Sequence, residues 1–284
     1  MKSRQQYFGS SMQTKHVGFI GAGNMSRSII AGLIESGYSP SAITASNRST
    51  EKLMNLQDEF GINITTDNDA VVAYADVIVM SVKPQLMADV LGALDTAQIT
   101  DDKVFMSIAA GIKLQRLSEM LPAASKWVRA MPNTPSAVGA GLTGLIANSN
   151  VSETERDLCG DLMAAVGEVV WVDEEAQIDG VIAAAGSAPA YFFLFLEAMQ
   201  AEAEKMGFSH TQARLMVQQA MFGAAKMVVK NPDVELSTLR ENVTSKGGTT
   251  AQALQTFMQG GLEKLVSQAM QAAVKRAEEM SNEF

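Results

Sequence analysis

Val17-Gly18-Phe19-Ile20-Gly21-Ala22-Gly23-Asn24-Met25-Ser26 decides how the rest of the chain is read. A short apolar run enters a Gly-x-Gly-x-x-Ser turn, then a segment that sets Ile29, Ile30, Leu33 and Ile34 on one helical face. Gly21 permits a tight turn, Gly23 lets the backbone approach a pyrophosphate, and a small third residue lets helix pack close on strand. Ser26 fills that third place, where glycine or alanine is usual. The free N–H groups and the positive dipole end of such a helix favour an anion. Strand, turn and helix in this order make a dinucleotide-binding fingerprint, which a glycine pair alone would not.

Working outward, strands are expected at 16–20, 43–46, 76–80, 104–108 and 126–130, with helices such as 26–36 and 50–60 between them. Alternation of this kind predicts a doubly wound, mainly parallel α/β sheet of Rossmann type. After residue 176 the strand signals stop, and 189–206, 211–230, 249–258 and 262–279 read as helices. Met216, Ala220, Gly223 and Met227 fall on one stripe, as do Leu262, Leu265, Val266, Ala269 and Ala273, which reads as core packing. The expected organisation is a polar extension at 1–15, a Rossmann domain at 16–176 and an all-α domain at 177–284.

Cofactor choice is read at the end of the second strand. An acid there would bind the ribose 2′-hydroxyl of NAD. Here the chain reads Ser46-Asn47-Arg48-Ser49-Thr50, with no acid before Glu51. Asn47, Arg48 and the hydroxyls suit a 2′-phosphate, so NADPH is the expected cofactor and NADH a tolerated one.

Composition narrows the chemistry. The net charge of −9, with no basic excess in either half, offers no footprint for nucleic acid or anionic lipid. One cysteine, Cys159, and two distant histidines, His16 and His210, leave neither a Cys/His metal site nor a recognisable Ser-His-Asp triad. No metal is expected, and the hard chemistry falls to a cofactor. The uncharged stretches 130–152 and 180–196 contain glycine, proline and polar residues, so neither is expected to span a membrane. The opening residues lack an apolar signal region, Met12 is an alternative start, and a cytoplasmic protein is expected. Asp173-Glu174-Glu175 reads as a solvated turn, and Cys159 as a small core residue.

Five further segments go beyond a generic dinucleotide fold. They are Ser81-Val82-Lys83-Pro84, Ser107-Ile108-Ala109-Ala110-Gly111, Arg129-Ala130-Met131-Pro132-Asn133-Thr134-Pro135, Gly186-Ser187-Ala188-Pro189-Ala190-Tyr191 and Thr244-Ser245-Lys246-Gly247-Gly248-Thr249-Thr250. In this order and spacing, across residues 16–280, the chain resembles pyrroline-5-carboxylate reductase, the last enzyme of proline synthesis. The resemblance implies an NADPH-preferring, NADH-tolerant reductase with a Rossmann domain and a helical domain that interlocks into dimers, commonly built up into decamers. It implies cofactor contacts at Ile20, Gly21, Ala22, Gly23, Asn24, Met25, Asn47, Asn68, Ser81, Val82, Lys83, Pro84, Ile108, Ala109, Ala110 and Asn242. The substrate loop it implies runs from Ser245 through Gly247, Gly248, Thr249 and Thr250, and Asp233 stands where some members carry a glutamate near the substrate. The family loop usually reads Ser-Pro-Gly-Gly-Thr-Thr; here Lys246 replaces the proline, loosening the backbone and adding a cation.

Physics supports that loop independently. Gly247-Gly248-Thr249-Thr250 opens a helix, so successive N–H groups lack partners and suit a carboxylate, with Ser245 and Thr250 adding hydroxyls. The expected reaction is hydride transfer from NADPH to C5 of 1-pyrroline-5-carboxylate, giving L-proline. A protonated imine is already electrophilic, so no strong protein acid is required. Thr250 is the expected catalytic residue, hydrogen bonding the ring nitrogen. Two alternatives stay open: a related two-domain NADP-dependent reductase of another imino or hydroxy acid, and a non-catalytic NADP sensor. The first relies on a helix-borne lysine after the boundary, and residues 177–200 contain none.

Overall fold

The computed structural model describes residues 15–283, so the polar extension lies almost wholly outside the described residues. By packing, the chain forms two units: one runs through Ser187 and takes up the chain again from Ala273, and the other is Ala188–Ala272.

The first unit is built on one eight-stranded sheet. Its strands are β1 (Val17–Ile20), β2 (Ile43–Ser46), β3 (Asn63–Thr65), β4 (Val77–Met80), β5 (Val104–Ser107), β6 (Trp127–Met131), β7 (Gly141–Ala147) and β8 (Gly167–Trp171). The spatial order is β3-β2-β1-β4-β5-β6-β7-β8, and every pair is parallel except β6 with β7. β1 pairs with β2 through Val17 opposite Ile43 and with β4 through Val17 opposite Val77. The strand order therefore reverses at β1, which opens a crevice at its carboxyl end.

Helices α1 (Asn24–Glu35), α2 (Thr50–Phe60), α3 (Asn68–Tyr74), α4 (Met87–Gly92), α5 (Leu114–Met120), α6 (Glu153–Ala164) and α7 (Ala176–Val181) complete the unit. β1, β2, β4 and β5 are buried along their whole length, as expected of strands covered on both faces, and β4 is apolar throughout. Phe19, Ile30, Leu33, Val79 and Met106 share one core layer; Ile78, Met80, Phe105, Leu117 and Trp127 share the other. Cys159 is buried in the first layer, as expected.

Strands β3, β7 and β8 were not marked in the sequence. β3 has only three residues, and β7 carries Gly141 and Gly144, which dilute a strand signal. The acidic turn before α7 also needs correction. Glu175 is not merely solvated: its Oε1 accepts from the buried Arg129 Nη1 at 3.0 Å and from the Leu114 amide at 2.8 Å. Beside it, burial pushes the Asp179 carboxyl above its ordinary range, with Arg129 opposing and Glu278 adding to the rise.

The second unit holds α8 (Ala188–Lys205), α9 (His210–Lys230), α10 (Leu236–Asn242), α11 (Thr249–Gln259) and the first part of α12 (Leu262–Ser281). Capping at Ser209, which accepts from the Gln212 amide, starts α9. None of the residues of α8, α10 or α11 is buried within the chain. The expected stripes face outward: Met216, Met227, Leu262, Leu265 and Val266 are exposed, together with Phe192, Phe193 and Leu194. They cannot be the core of a single chain, and that much apolar surface calls for a protein or membrane partner.

The helical run Ala176–Lys205 contains an 18-residue window with a mean hydropathy of 1.5, which by length and composition alone is sufficient to cross a membrane. The glycine and proline of 180–196 leave this helix unbroken. Gly186 does not interrupt the run, because the backbone passes through a π turn at Ile182–Gly186. Pro189 falls in the first turn of α8, where its missing N–H costs nothing.

Candidate functional site

Three backbone hydrogen bonds gather four turns at the carboxyl edge of the sheet. The Gly21 amide donates to the Ser46 carbonyl at 2.9 Å, Ser81 to Ile20 at 2.9 Å, and Ile108 to Met80 at 3.1 Å. Ile20–Met25, Asn47, Ser81–Pro84 and Ile108–Ala110 therefore converge on one crevice. Asn68, at the start of α3, joins it through its Oδ1, which lies 2.7 Å from the Ser46 hydroxyl.

Gly21 has φ +109°, and a Cβ there would lie 2.8 Å from the Ser81 carbonyl oxygen. No side chain fits that turn. Gly23 is the N-cap of α1, with no capping side chain and no acid in the first turn. The amides of Asn24, Met25 and Ser26 meet no acceptor among the described residues. A bare α1 N-terminus beside a turn that only glycine can make fits a pyrophosphate. Ser26 is buried, and its hydroxyl donates to the Gly21 carbonyl at 2.8 Å.

Arg48 is exposed just before α2 and has no ion pair among the described residues. Asn47 Nδ2 donates to the Ser49 carbonyl at 3.4 Å, which shapes the turn that presents Arg48. Lys83 is exposed and caps the short 3-10 turn Pro84–Leu86 through its backbone.

Arg27, Lys52 and Glu59 belong to no motif in the sequence, and the fold brings them together. They border a groove of about 600 Å³ between the start of α1 and one face of α2, next to Ala22–Asn24. Arg27 Nε donates to Glu59 Oε2 at 3.0 Å, and its Nη2 binds Glu59 Oε1. Lys52 and Glu59 fall seven apart on α2, a helical spacing that marks them as one face.

A second bare helix end lies in the helical unit. The Gly248 amide donates to the Ser245 carbonyl at 3.0 Å and closes the loop. Gly247 has φ +73°, and a Cβ on Gly248 would lie 2.3 Å from Ser245 Oγ. Gly248 is the N-cap of α11, with no capping side chain and no acid in the first turn. The amides of Thr249 and Thr250 meet no acceptor among the described residues, and both hydroxyls are exposed. Asn242 ends α10 just ahead of this loop, where the Thr244 hydroxyl ties back to the Arg240 carbonyl at 2.6 Å. Asp233 lies before α10, so a seven-residue helix of about 10 Å separates it from Asn242.

Among the described residues there is no group of three metal-ligating side chains. Burial, with Glu155 adding to it, pushes the Cys159 thiol up to about 12, which removes it as a nucleophile.

Residues 175–280 match the family described as pyrroline-5-carboxylate reductase dimerisation, and residues 16–111 match NADP oxidoreductase, coenzyme F420-dependent. The chain is 55% identical to a pyrroline-5-carboxylate reductase of Vibrio alginolyticus, over 96% of this chain and 100% of that one. It is 46% identical to one from Haemophilus influenzae with the same coverage. Among solved structures, a pyrroline-5-carboxylate reductase from Coxiella burnetii superposes with a TM-score of 0.90 at 42% identity, covering 94% of this chain and 99% of that one. A pyrroline carboxylate reductase from Plasmodium falciparum with NADP bound gives 0.82 at 27% identity, covering 95% and 99%.

Proposed function

The chain belongs to the pyrroline-5-carboxylate reductase family, and from that premise we propose how its two bare helix N-termini divide the work. The activity is NAD(P)H-dependent reduction of the imine of 1-pyrroline-5-carboxylate to L-proline. When bound, the nicotinamide cofactor supplies the hydride.

The N-terminus of α1 holds the pyrophosphate with the amides of Asn24 to Ser26, and Asn47 and Arg48 receive the 2′-phosphate. Ser81–Pro84 and Ile108–Ala110 wall the crevice through their backbones. In the helical unit, the amides of Thr249 and Thr250 and the hydroxyl of Ser245 hold the substrate carboxylate. The Thr250 hydroxyl hydrogen bonds the ring nitrogen and keeps its proton placed while the imine carbon is reduced. Neither site carries a histidine or a buried acid, which suits a substrate that is itself electrophilic once protonated. The protein's contribution is then orientation and charge complementarity. Lys246, exposed beside the loop, adds a cation on the carboxylate side.

The observation that carries this reading is the pair of uncapped, acid-free N-termini, each opened by glycines. The exposed apolar helices of the second unit support self-association, and the chain carries the family's dimerisation region. A decamer, a cytoplasmic location, the absence of nucleic-acid or membrane partners and the 16–176 and 177–284 domain limits are part of the same proposal. A protein occupant for the α8–α11 surface supports the soluble state, and light scattering on the purified protein counts the subunits.

The test of function is NADPH oxidation with pyrroline-5-carboxylate, set against pyrroline-2-carboxylate and 2- or 3-hydroxy acids. Consumption confined to the first is expected; none with it overturns the reading. Arg48→Asp is expected to lower NADPH affinity while sparing NADH, and an unchanged preference removes Arg48 from the site.

A further inference from the structure

Arg48 is one cation, and a 2′-phosphate carries close to two negative charges at neutral pH. The groove beside the glycine turn contains another. Lys52 stands in the first turn of α2, four residues after Arg48, and borders the groove together with Gly23 and Asn24. α1 follows β1 and α2 follows β2, and these strands are parallel neighbours, so both helices begin at the same edge of the sheet.

Charge pairing separates the groove's two basic side chains. Both ends of the Arg27 guanidinium are taken by Glu59, which neutralises it. Lys52 has no carboxylate partner among the described residues. The acids that border the groove, Asp58 and Glu59, lie in the last turn of α2. Seven residues of helix put about 10 Å between Lys52 and Glu59 along the axis. The N-cap of α2, Ser49, makes no side-chain cap, and so leaves first-turn amides open next to this ammonium.

We propose that Lys52 is a second specificity-determining residue for the cofactor, its ammonium pairing with the 2′-phosphate alongside Arg48. This rests on reading the glycine turn as the pyrophosphate site. An ammonium is a compact charge that gains from a phosphate and little from a neutral hydroxyl. Lys52 therefore acts on the choice between NADPH and NADH rather than on dinucleotide binding in general.

The test is fluorescence titration of the wild type, Lys52→Met and Lys52→Arg with NADPH and with NADH, without substrate. The methionine keeps most of the stem and removes the charge. The expected result is a loss of about tenfold in NADPH affinity for Lys52→Met, with NADH within twofold of wild type and most of the loss restored in Lys52→Arg. A wild type that prefers NADPH and a Lys52→Met that keeps the full preference overturn the assignment of Lys52 alone. Equal losses for both cofactors also overturn it, because the side chain then serves the groove and not the phosphate. A wild type that binds both equally overturns the 2′-phosphate reading itself, and this proposal with it.

Discussion

The hydroxyl of Ser26 donates to the carbonyl of Gly21 at 2.8 Å, bridging the third place of the fingerprint back to its first. The third residue is ordinarily chosen for smallness. Here it is small and also fastens the carbonyl of the turn that must adopt φ +109°. Ser26→Ala keeps the size and leaves that carbonyl without its donor. A loss of about 1 kcal/mol in stability is expected, with NADPH binding weakened a few fold in fluorescence titration. Unchanged values on both counts would show that the bond contributes nothing.

Gly248→Ala places a methyl group 2.3 Å from Ser245 Oγ. The Ser245 hydroxyl must turn away from its present position to admit it, and the Ser245 carbonyl oxygen at 3.1 Å must give slightly. The expected outcome is a rise of about tenfold in KM for pyrroline-5-carboxylate with the NADPH dissociation constant unchanged, measured by steady-state kinetics and titration.

Thr250→Ala removes the hydroxyl assigned to the ring nitrogen and leaves the amide that holds the carboxylate. A fall in kcat on the order of a hundredfold is expected, with KM little changed and Thr250→Ser recovering most of it. Wild-type turnover in the alanine variant takes Thr250 out of the mechanism.

Glu155 ties α6 to β6. Its Oε1 meets Lys126 Nζ at 2.6 Å, and its Oε2 accepts from the Ser152 amide at 2.9 Å to close a capping box. Burial pushes this carboxyl up, but the Lys126 and Ser152 hydrogen bonds outweigh it and hold it below its ordinary range. The ionised form is thus favoured in the fold, so its stabilisation is present above the unfolded value of about 4.3 and is lost as pH falls through the lower folded value. Glu155→Gln is expected to cost about 1–2 kcal/mol at pH 7 in urea unfolding at fixed protein concentration, a gap that closes in acid.

Much of the nucleotide half was legible because its demands are local. Gly21 and Gly23 meet a backbone requirement that no other residue meets, and α2 forms over the segment that its spacing marks. The loop from Ser245 to Thr250 was legible for the same reason. Asp233 was not settled in this way, because nothing in its immediate neighbourhood says what it faces.

The sequence by itself determined the five strands β1, β2, β4, β5 and β6, the long helices, the glycine turns and the two helix N-termini. These follow from conformational preference and periodicity over a few neighbouring residues. Only the tertiary structure decided the pairings across long separations. It set β4 against β1, added β3, β7 and β8 to the sheet, gave Glu175 to Arg129, and paired Arg27 with Glu59 while leaving Lys52 without a carboxylate partner among the described residues. It also turned the Met216 and Met227 stripe outward. A side chain's identity fixes what it can pair with, but the partner it gets depends on packing between segments dozens of residues apart.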